Sequence, residues 1–351
     1  MKILFALLAF ALLTLPVEFR AQTAISDRVQ KGNKTFISVP VTVSDREGRY
    51  ISGLKKDDFT VYQDGVKQKI EFFATESEPI NVALLLDTSA STKDVLDKIR
   101  EAARDFIDLM NPNDKCLIAT FDSQVKVLSQ FTSDKKTLKD ALNQIQNAEQ
   151  EGSVVFRAVD HIARNSLNNV QGRKAIVLLS DGKDFGSSVS RNELINQLEE
   201  SDVLIYSVFY QTGIGFNKLV VKPDGTVKEG KENKKPKKEK KPKKKKGYSI
   251  VIPMPGDTFT QEEIKLTDRT ASTAAVNSLQ EMSDTTAGRF YLSDAVNLSR
   301  IFKQIAGELR QQYRLGFYTK DADSALHDLT VKVERPDVVV RARGKFRAGR
   351  L

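Results

Sequence analysis

The sequence predicts an α/β protein. It reads as a doubly wound, mostly parallel six-stranded sheet with one antiparallel edge strand, beside a small β-sandwich formed by the N- and C-terminal strands. Three observations carry this. Apolar strand-like runs alternate with stretches of helical period across residues 80–312, the order that a doubly wound sheet requires. Two of the runs, 115–121 and 125–129, are separated by Asp122-Ser123-Gln124 alone. A parallel crossover takes about a dozen residues or more, so this pair is a hairpin and its second strand an antiparallel edge. The flanks, 33–78 and 313–347, hold strand-like runs only, each too short to bury an apolar face by itself.

Within the α/β region the strands read 82–86, 115–121, 125–129, 174–180, 203–210 and 289–292. The helices read 93–110, 135–148, 154–167, 191–200, 274–285 and 297–311. In the N-terminal flank, 35–43 alternates as a strand and is followed by the turn Asp45-Arg46-Glu47-Gly48. Residues 58–63 and 66–74 then read as a hairpin about Asp64-Gly65. The C-terminal flank supplies runs at 313–319, 326–334 and 338–346, which are expected to pair with the N-terminal ones.

The chain begins with one lysine and an apolar run over residues 3–15. Thirteen residues are too few to span a bilayer and suit a signal-peptide core, with residues 1–21 as the leader; an uncleaved anchor is the other reading. Either way the expected destination is extracytoplasmic: periplasm, outer surface or medium. The single cysteine, Cys116, lies in a strand run and reads as a small buried side chain. His161 and His327 have no second His or Cys at ligand spacing, which excludes a zinc cluster of that kind.

Charge is concentrated. Residues 222–247 hold 13 Lys against Asp224, Glu229, Glu232 and Glu239, a net of +9 that equals the net charge of the whole chain. The remainder is therefore neutral, and the basicity belongs to one stretch. With three prolines and few large apolar groups, 221–248 reads as a disordered insertion. It leaves the last-but-one parallel strand at the carboxyl edge of the sheet. The lysines from Lys234 to Lys246 read either as a solvated linker or as a contact for an anionic envelope surface. Aromatics are missing from the run, which argues against nucleic acid.

The chemistry concentrates at strand ends. VALLLDTSAS, residues 82–91, is a buried-strand run that empties into Asp87, Ser89 and Ser91 at alternating positions. Such residues also follow strands simply as N-caps of the next helix, here 93–110. A second buried run, KAIVLLS, ends in Asp181-Gly182, and Gly152-Ser153 opens the helical stretch between them. Three loops thus offer oxygen donors at the carboxyl edge, where open α/β sheets hold ligands. Hard oxygens of this kind suit one divalent ion, Mg²⁺ or else Mn²⁺ or Ca²⁺.

The order D-x-S-x-S, a Gly-Ser loop, then strand-Asp-Gly resembles the von Willebrand factor A domain with its metal-ion-dependent adhesion site. More closely, the chain resembles the bacterial secreted "VWFA-related" proteins of the Acidobacteria type. That likeness extends over VTVSDREGRYISGLKKDDFTVYQDGVKQKIEFF, SDGKDFGS, IFKQIAGELRQQYRLGFYT and RPDVVVRARGKF. The resemblance implies metal positions at Asp87, Ser89, Ser91, Ser153 and Asp181. Ser153 stands where the family usually has Thr, and Arg157 where it often has Asp.

By that resemblance the function is a metal-dependent adhesion or protein-interaction module. Its ion would take an acidic side chain from a protein partner, without catalysis. An envelope scaffold with a structural metal uses the same residues. Enzymatic readings find less in the chain. Neither a P-loop nor a G-x-G-x-x-G is present, and Gly213-Ile214-Gly215-Phe216 lacks the strand-to-helix context. No G-x-S-x-G elbow occurs either. An aspartyl phosphatase with Asp87 as nucleophile wants an acid two residues on, where Ser89 stands.

Overall fold

Val82, Leu84 and Leu86 face one layer of helices while Ala83 and Leu85 face the other. The strand that holds them is therefore buried on both sides, which is why its sequence runs apolar without alternation. The computed structural model describes residues 34–46, 49–75, 78–148, 152–168, 170–210, 218–221, 227–229, 263–265, 269–293, 297–320 and 325–348. Four stretches of these, 218–221, 227–229, 263–265 and 269–272, are described as backbone only. The expected leader at 1–21 and the lysines from Lys234 to Lys246 lie outside the described residues. Among the described residues no helix is long and apolar enough to cross a membrane.

In chain order, the N-terminal strands are β1 (Thr35–Asp45), β2 (Phe59–Gln63), β3 (Val66–Gln68) and β4 (Phe72–Ala74). The α/β region follows with β5 (Ile80–Asp87), α1 (Leu96–Leu109), β6 (Lys115–Phe121), β7 (Val125–Thr132), α2 (Lys135–Asn143) and α3 (Val155–His161). It continues with β8 (Arg173–Ser180), α4 (Arg191–Glu200) and β9 (Leu204–Tyr210). Three short strands come next, β10 (Lys218–Val221), β11 (Val227–Glu229) and β12 (Glu263–Lys265). Then follow α5 (Arg269–Thr285), β13 (Arg289–Ser293) and α6 (Leu298–Arg310). The chain closes with β14 (Gln312–Thr319), β15 (Leu326–Val333), β16 (Val338–Arg341) and β17 (Lys345–Arg347).

The central sheet has six strands in the order β13-β9-β8-β5-β6-β7. All neighbours are parallel except β6 and β7, which form the antiparallel hairpin. One face is covered by Ile99, Phe106, Leu138, Phe302 and Ile305 from α1, α2 and α6. The other is covered by Val155, Val159, Leu194, Leu198, Val276 and Leu279 from α3, α4 and α5.

The two ends of the chain pair in two antiparallel four-stranded sheets, β16-β1-β14-β4 and β17-β15-β2-β3. Val39, Val41, Phe59, Val61, Tyr313, Phe317, Leu329 and Phe346, drawn from both sheets, bury one apolar cluster. Two predicted runs divide between them. The run 66–74 splits into β3, which pairs with β2, and β4, which pairs with β14 in the other sheet. The run 338–346 splits likewise into β16 and β17. The polar residues Lys69 and Glu71, and Arg343-Gly344, mark the crossings, where the chain changes sheet instead of continuing a ladder.

The small sheets join the central domain through a buried carboxylate. Glu308 of α6 accepts hydrogen bonds from Tyr50 Oη at 2.8 Å and Tyr206 Oη at 3.1 Å. It also pairs with Arg289 at 3.4 Å and with Arg341 of β16.

Of the expected insertion 221–248, four residues are among those described. Val221 and 227–229 lie in paired strands, with Val221 opposite Val227.

Candidate functional site

Asp87 is the last residue of β5, fully buried at the carboxyl edge of the sheet. Its Oδ1 accepts hydrogen bonds from Ser89 N at 2.9 Å and Ser89 Oγ at 2.6 Å. Its Oδ2 accepts from Ser180 Oγ at 2.7 Å and Ser153 Oγ at 3.4 Å. Its own loop, the loop before α3 and the end of β8 thus converge on one carboxylate, which accepts all three hydroxyl hydrogen bonds. A hydroxyl whose proton is so held keeps its lone pairs for another neighbour.

The loop after β5 is held by its surroundings. Thr88 N donates to Phe121 O at 2.9 Å, and Ala148 N donates to Thr88 O at 2.8 Å. Ser89 and Ser91 hydroxyls lie 3.1 Å apart, with Ser89 buried and Ser91 exposed. Helix α1 does not begin until Leu96, and its N-cap, Val95, makes no side-chain cap. The expected helix 93–110 therefore starts three residues late, and neither Asp87 nor the serines cap it. Their oxygens serve the cluster instead.

Ser153 stands two residues ahead of α3, buried, with Val154 N donating to Asp122 O at 2.9 Å. The helix expected over 154–167 runs as α3 and then a π-helical turn, Ile162–Leu167. Asp181 follows β8 and is buried. Its Oδ2 lies 3.5 Å from Lys183 Nζ. Gly182 sits at φ +70°, and a Cβ there would meet Ala275 Cβ at 2.9 Å and Ala275 O at 3.1 Å. Only glycine lets the chain turn so close to α5.

Burial, and after it the negative charge of Asp181, pushes the Asp87 carboxyl up to about 6 against the hydrogen bonds from Ser89 and Ser180. Two buried carboxylates that repel one another are a place where a cation is favoured. Tyr210 adds to this. Among the described residues its buried hydroxyl has no hydrogen-bond partner, and burial together with the charges of Asp87 and Asp181 holds its proton on well above the usual range. A lone buried phenol beside two carboxylates suits a hydrated ion, whose waters supply the missing partner. The donor set of two carboxylates and hydroxyls is wholly of hard oxygens, which fits Mg²⁺, Mn²⁺ or Ca²⁺. Among the described residues no three His, Cys, Asp or Glu side chains cluster as a metal site; this cluster is instead rich in hydroxyls.

Of the five residues singled out in the sequence, Asp87, Ser89, Ser91 and Ser153 are linked by the hydrogen bonds above, and Asp181 lies within electrostatic reach of Asp87. Ser180 and Tyr210 were not among them. Each ends a strand, where Ser and Tyr read as ordinary sheet residues. The histidines are elsewhere: His161 contacts Asn165, and His327 pairs with Asp64 at 2.8 Å in the small sheets. Burial pushes the Cys116 thiol up to about 12, so it stays protonated.

No curated protein matches the chain. Among solved structures, the chain is similar to BatB from Bacteroides thetaiotaomicron, with 18% identity over 66% of this chain and 97% of that one and a TM-score of 0.43. It is similar to the vWF domain of the type V pili tip protein Mfa5 from Porphyromonas gingivalis, with 12% identity over 66% and 94% of the two chains and a TM-score of 0.41. It is also similar to proximal thread matrix protein 1 from the mussel byssus with a zinc-occupied MIDAS motif. That likeness has 12% identity over 70% and 50% of the two chains and a TM-score of 0.47. Residues 82–183, the stretch from β5 to just past β8 that carries the whole serine and aspartate cluster, match the model of the von Willebrand factor type A domain.

Proposed function

We propose that the chain is an exported metal-dependent interaction module whose divalent ion is held by Asp87, Ser89, Ser91, Ser153 and Asp181 and takes an acidic side chain from a protein partner. The observation that carries this reading is the convergence of two loops and the end of β8 on Asp87, which accepts hydrogen bonds from the hydroxyls of Ser89, Ser153 and Ser180. When bound, the ion supplies a Lewis-acid position for a carboxylate oxygen. The chain's own residues hold the donors in place and bury the charges that make a cation favourable. Binding, and not turnover, is the proposed role: among the described residues neither histidine contacts the cluster, and the hydroxyls of Ser89, Ser153 and Ser180 are held by Asp87.

The proposed organisation is a leader at 1–21, a type A domain at 80–312 interrupted by the basic insertion, and a sandwich of 33–78 with 313–347 that carries the domain. The basic run from Lys234 to Lys246 follows β9 in sequence, a strand that ends at the edge bearing Asp87 and Asp181, and its charge would draw an acidic partner or an anionic surface toward the ion. Calorimetry with Mg²⁺ and Mn²⁺ tests the ion, and capture from envelope extract with and without EDTA tests the partner. An ion bound equally by Asp87→Ala defeats the site. A partner retained equally in EDTA favours the scaffold reading, with the metal structural.

A further inference from the structure

The loop that brings in Asp181 continues over the start of α3 and is fastened there. Phe185 N donates to Ser153 O at 2.7 Å, and Phe156 N donates to Asp184 Oδ1 at 3.0 Å. Ser187 Oγ donates to Asp184 Oδ1 at 2.6 Å and accepts from Arg157 N at 3.1 Å. The backbone of Phe185 is thus bonded directly to Ser153, one of the candidate ligands. Its side chain nevertheless stands 64% exposed. Among the described residues the other large apolar side chains so placed are Val66 and Leu326, both on the small sheets. Phe185 is the aromatic one, and it adjoins the carboxylate cluster.

An exposed ring on a fastened backbone has little ordering entropy left to lose when a partner arrives. Aromatic side chains on such frames serve as interface anchors. Cationic residues share this loop and its neighbour: Lys183, two residues before it and paired with Asp181 at 3.5 Å, and exposed Arg157, whose amide is tied to the same loop. The rim therefore offers an apolar contact and positive charge next to a site suited to a carboxylate.

We propose that Phe185 is an apolar anchor for the partner, and that the site selects an acidic side chain with a large apolar residue one to three positions away from it. This rests on the metal-dependent reading above, in which the ion takes the carboxylate; Phe185 adds the choice among carboxylates. An extended peptide advances about 3.3 Å per residue, and Phe185 is one hydrogen bond from Ser153.

The test uses the full chain and its Phe185→Ser and Phe185→Leu variants. The probes are immobilised Gly/Ser peptides carrying one Glu, alone or with Leu or Phe two positions after it, in Mg²⁺ or EDTA. Mg²⁺ affinity of each protein is measured in parallel by calorimetry. In Mg²⁺ the wild type should hold the Glu-plus-apolar peptides on the order of tenfold tighter than the lone-Glu peptide. Phe185→Ser should bring that ratio to about one without changing Mg²⁺ affinity, while Phe185→Leu keeps most of it. Phe185 is exposed, so both variants should melt like the wild type. A ratio that survives Phe185→Ser overturns the inference and leaves the metal reading standing. So does a wild type that binds Mg²⁺ but shows no preference, or that retains no peptide. A wild type that binds no divalent ion overturns both.

Discussion

Ser180 donates its hydroxyl to Asp87 at 2.7 Å from the neighbouring strand. The register that sets Leu86 beside Leu179 places these two residues side by side where the parallel strands end. The same Ser180 oxygen accepts from Gly182 N at 2.8 Å. One hydroxyl therefore ties the carboxylate of the first loop to the turn that carries Asp181. Ser180→Ala removes a charge-assisted bond and strands two buried groups, so it should cost about 1–3 kcal/mol of stability. Denaturant melts of the two proteins check this, and an unchanged midpoint would refute the link.

Asp87 gives the domain a pH signature. Folded, its carboxyl titrates near 6, raised by burial and by Asp181; in an unfolded chain it titrates near ~3.9. Between these values the folded state holds the proton that the unfolded state has lost. Metal-free stability should therefore fall as pH rises from about 4 to about 6, by on the order of 3 kcal/mol, and stay lower above that. Asp87→Asn has no charge to bury. In EDTA at pH 8 it should melt above the wild type, with a flatter pH profile. Mg²⁺ should raise the wild-type melting temperature and leave the variant where it was. Parallel pH profiles for the two proteins would contradict the burial of this charge.

Gly182 tests how closely the Asp181 loop must approach α5. Gly182→Ala places a methyl group 2.9 Å from Ala275 Cβ and forces a left-handed φ on an alanine. A loss of more than about 1 kcal/mol is expected, together with weaker ion binding as Asp181 is displaced. Gly53 also has a positive φ but open space around it, so Gly53→Ala should lose only the backbone part. Equal losses at the two positions would show that crowding against α5 contributes nothing.

The legibility of the molecule in its sequence follows burial. Strands β5 and β8 were readable because both faces are covered, so their apolar runs are unbroken and end sharply in Asp87 and Asp181. The hairpin of β6 and β7 was readable from the length of its link alone. What changes partner between strands was not readable. The β3–β4 and β16–β17 breaks depend on which sheet each half meets, a tertiary fact with only weak local marks. Ser180 and Tyr210 escaped notice for a related reason. Their place in the cluster comes from strand register, which brings together residues more than 90 positions from Asp87.

The paired ends of the chain make a stability prediction. Tyr313, Leu315, Phe317 and Leu329 share a buried cluster with Val39, Val41, Phe59 and Val61. A protein lacking residues 35–74 would expose that face of β14 and β15 along a newly unpaired edge. It should aggregate or unfold without a sharp transition. A chain beginning at Ile80 that stays monomeric by light scattering, and melts where the full chain does, would show that the small sheets are dispensable.

Tyr210→Phe separates what the phenol costs from what it serves. Its hydroxyl is buried near two carboxylates and has no hydrogen-bond partner among the described residues. Such a group costs about 1–3 kcal/mol, and its deletion leaves the ring's packing intact. In EDTA the variant should therefore be more stable than the wild type. If the hydroxyl completes the hydration of an ion held by Asp87 and Asp181, the order should reverse with Mg²⁺, because the wild type then regains a partner that the variant cannot use. The measurement is the melting temperature of both proteins across a Mg²⁺ titration, with ion affinity read from calorimetry. A variant that is more stable in EDTA and binds Mg²⁺ as tightly as the wild type would place the hydroxyl outside the ion's surroundings. A variant less stable in EDTA would mean that the hydroxyl already has a partner in the metal-free fold.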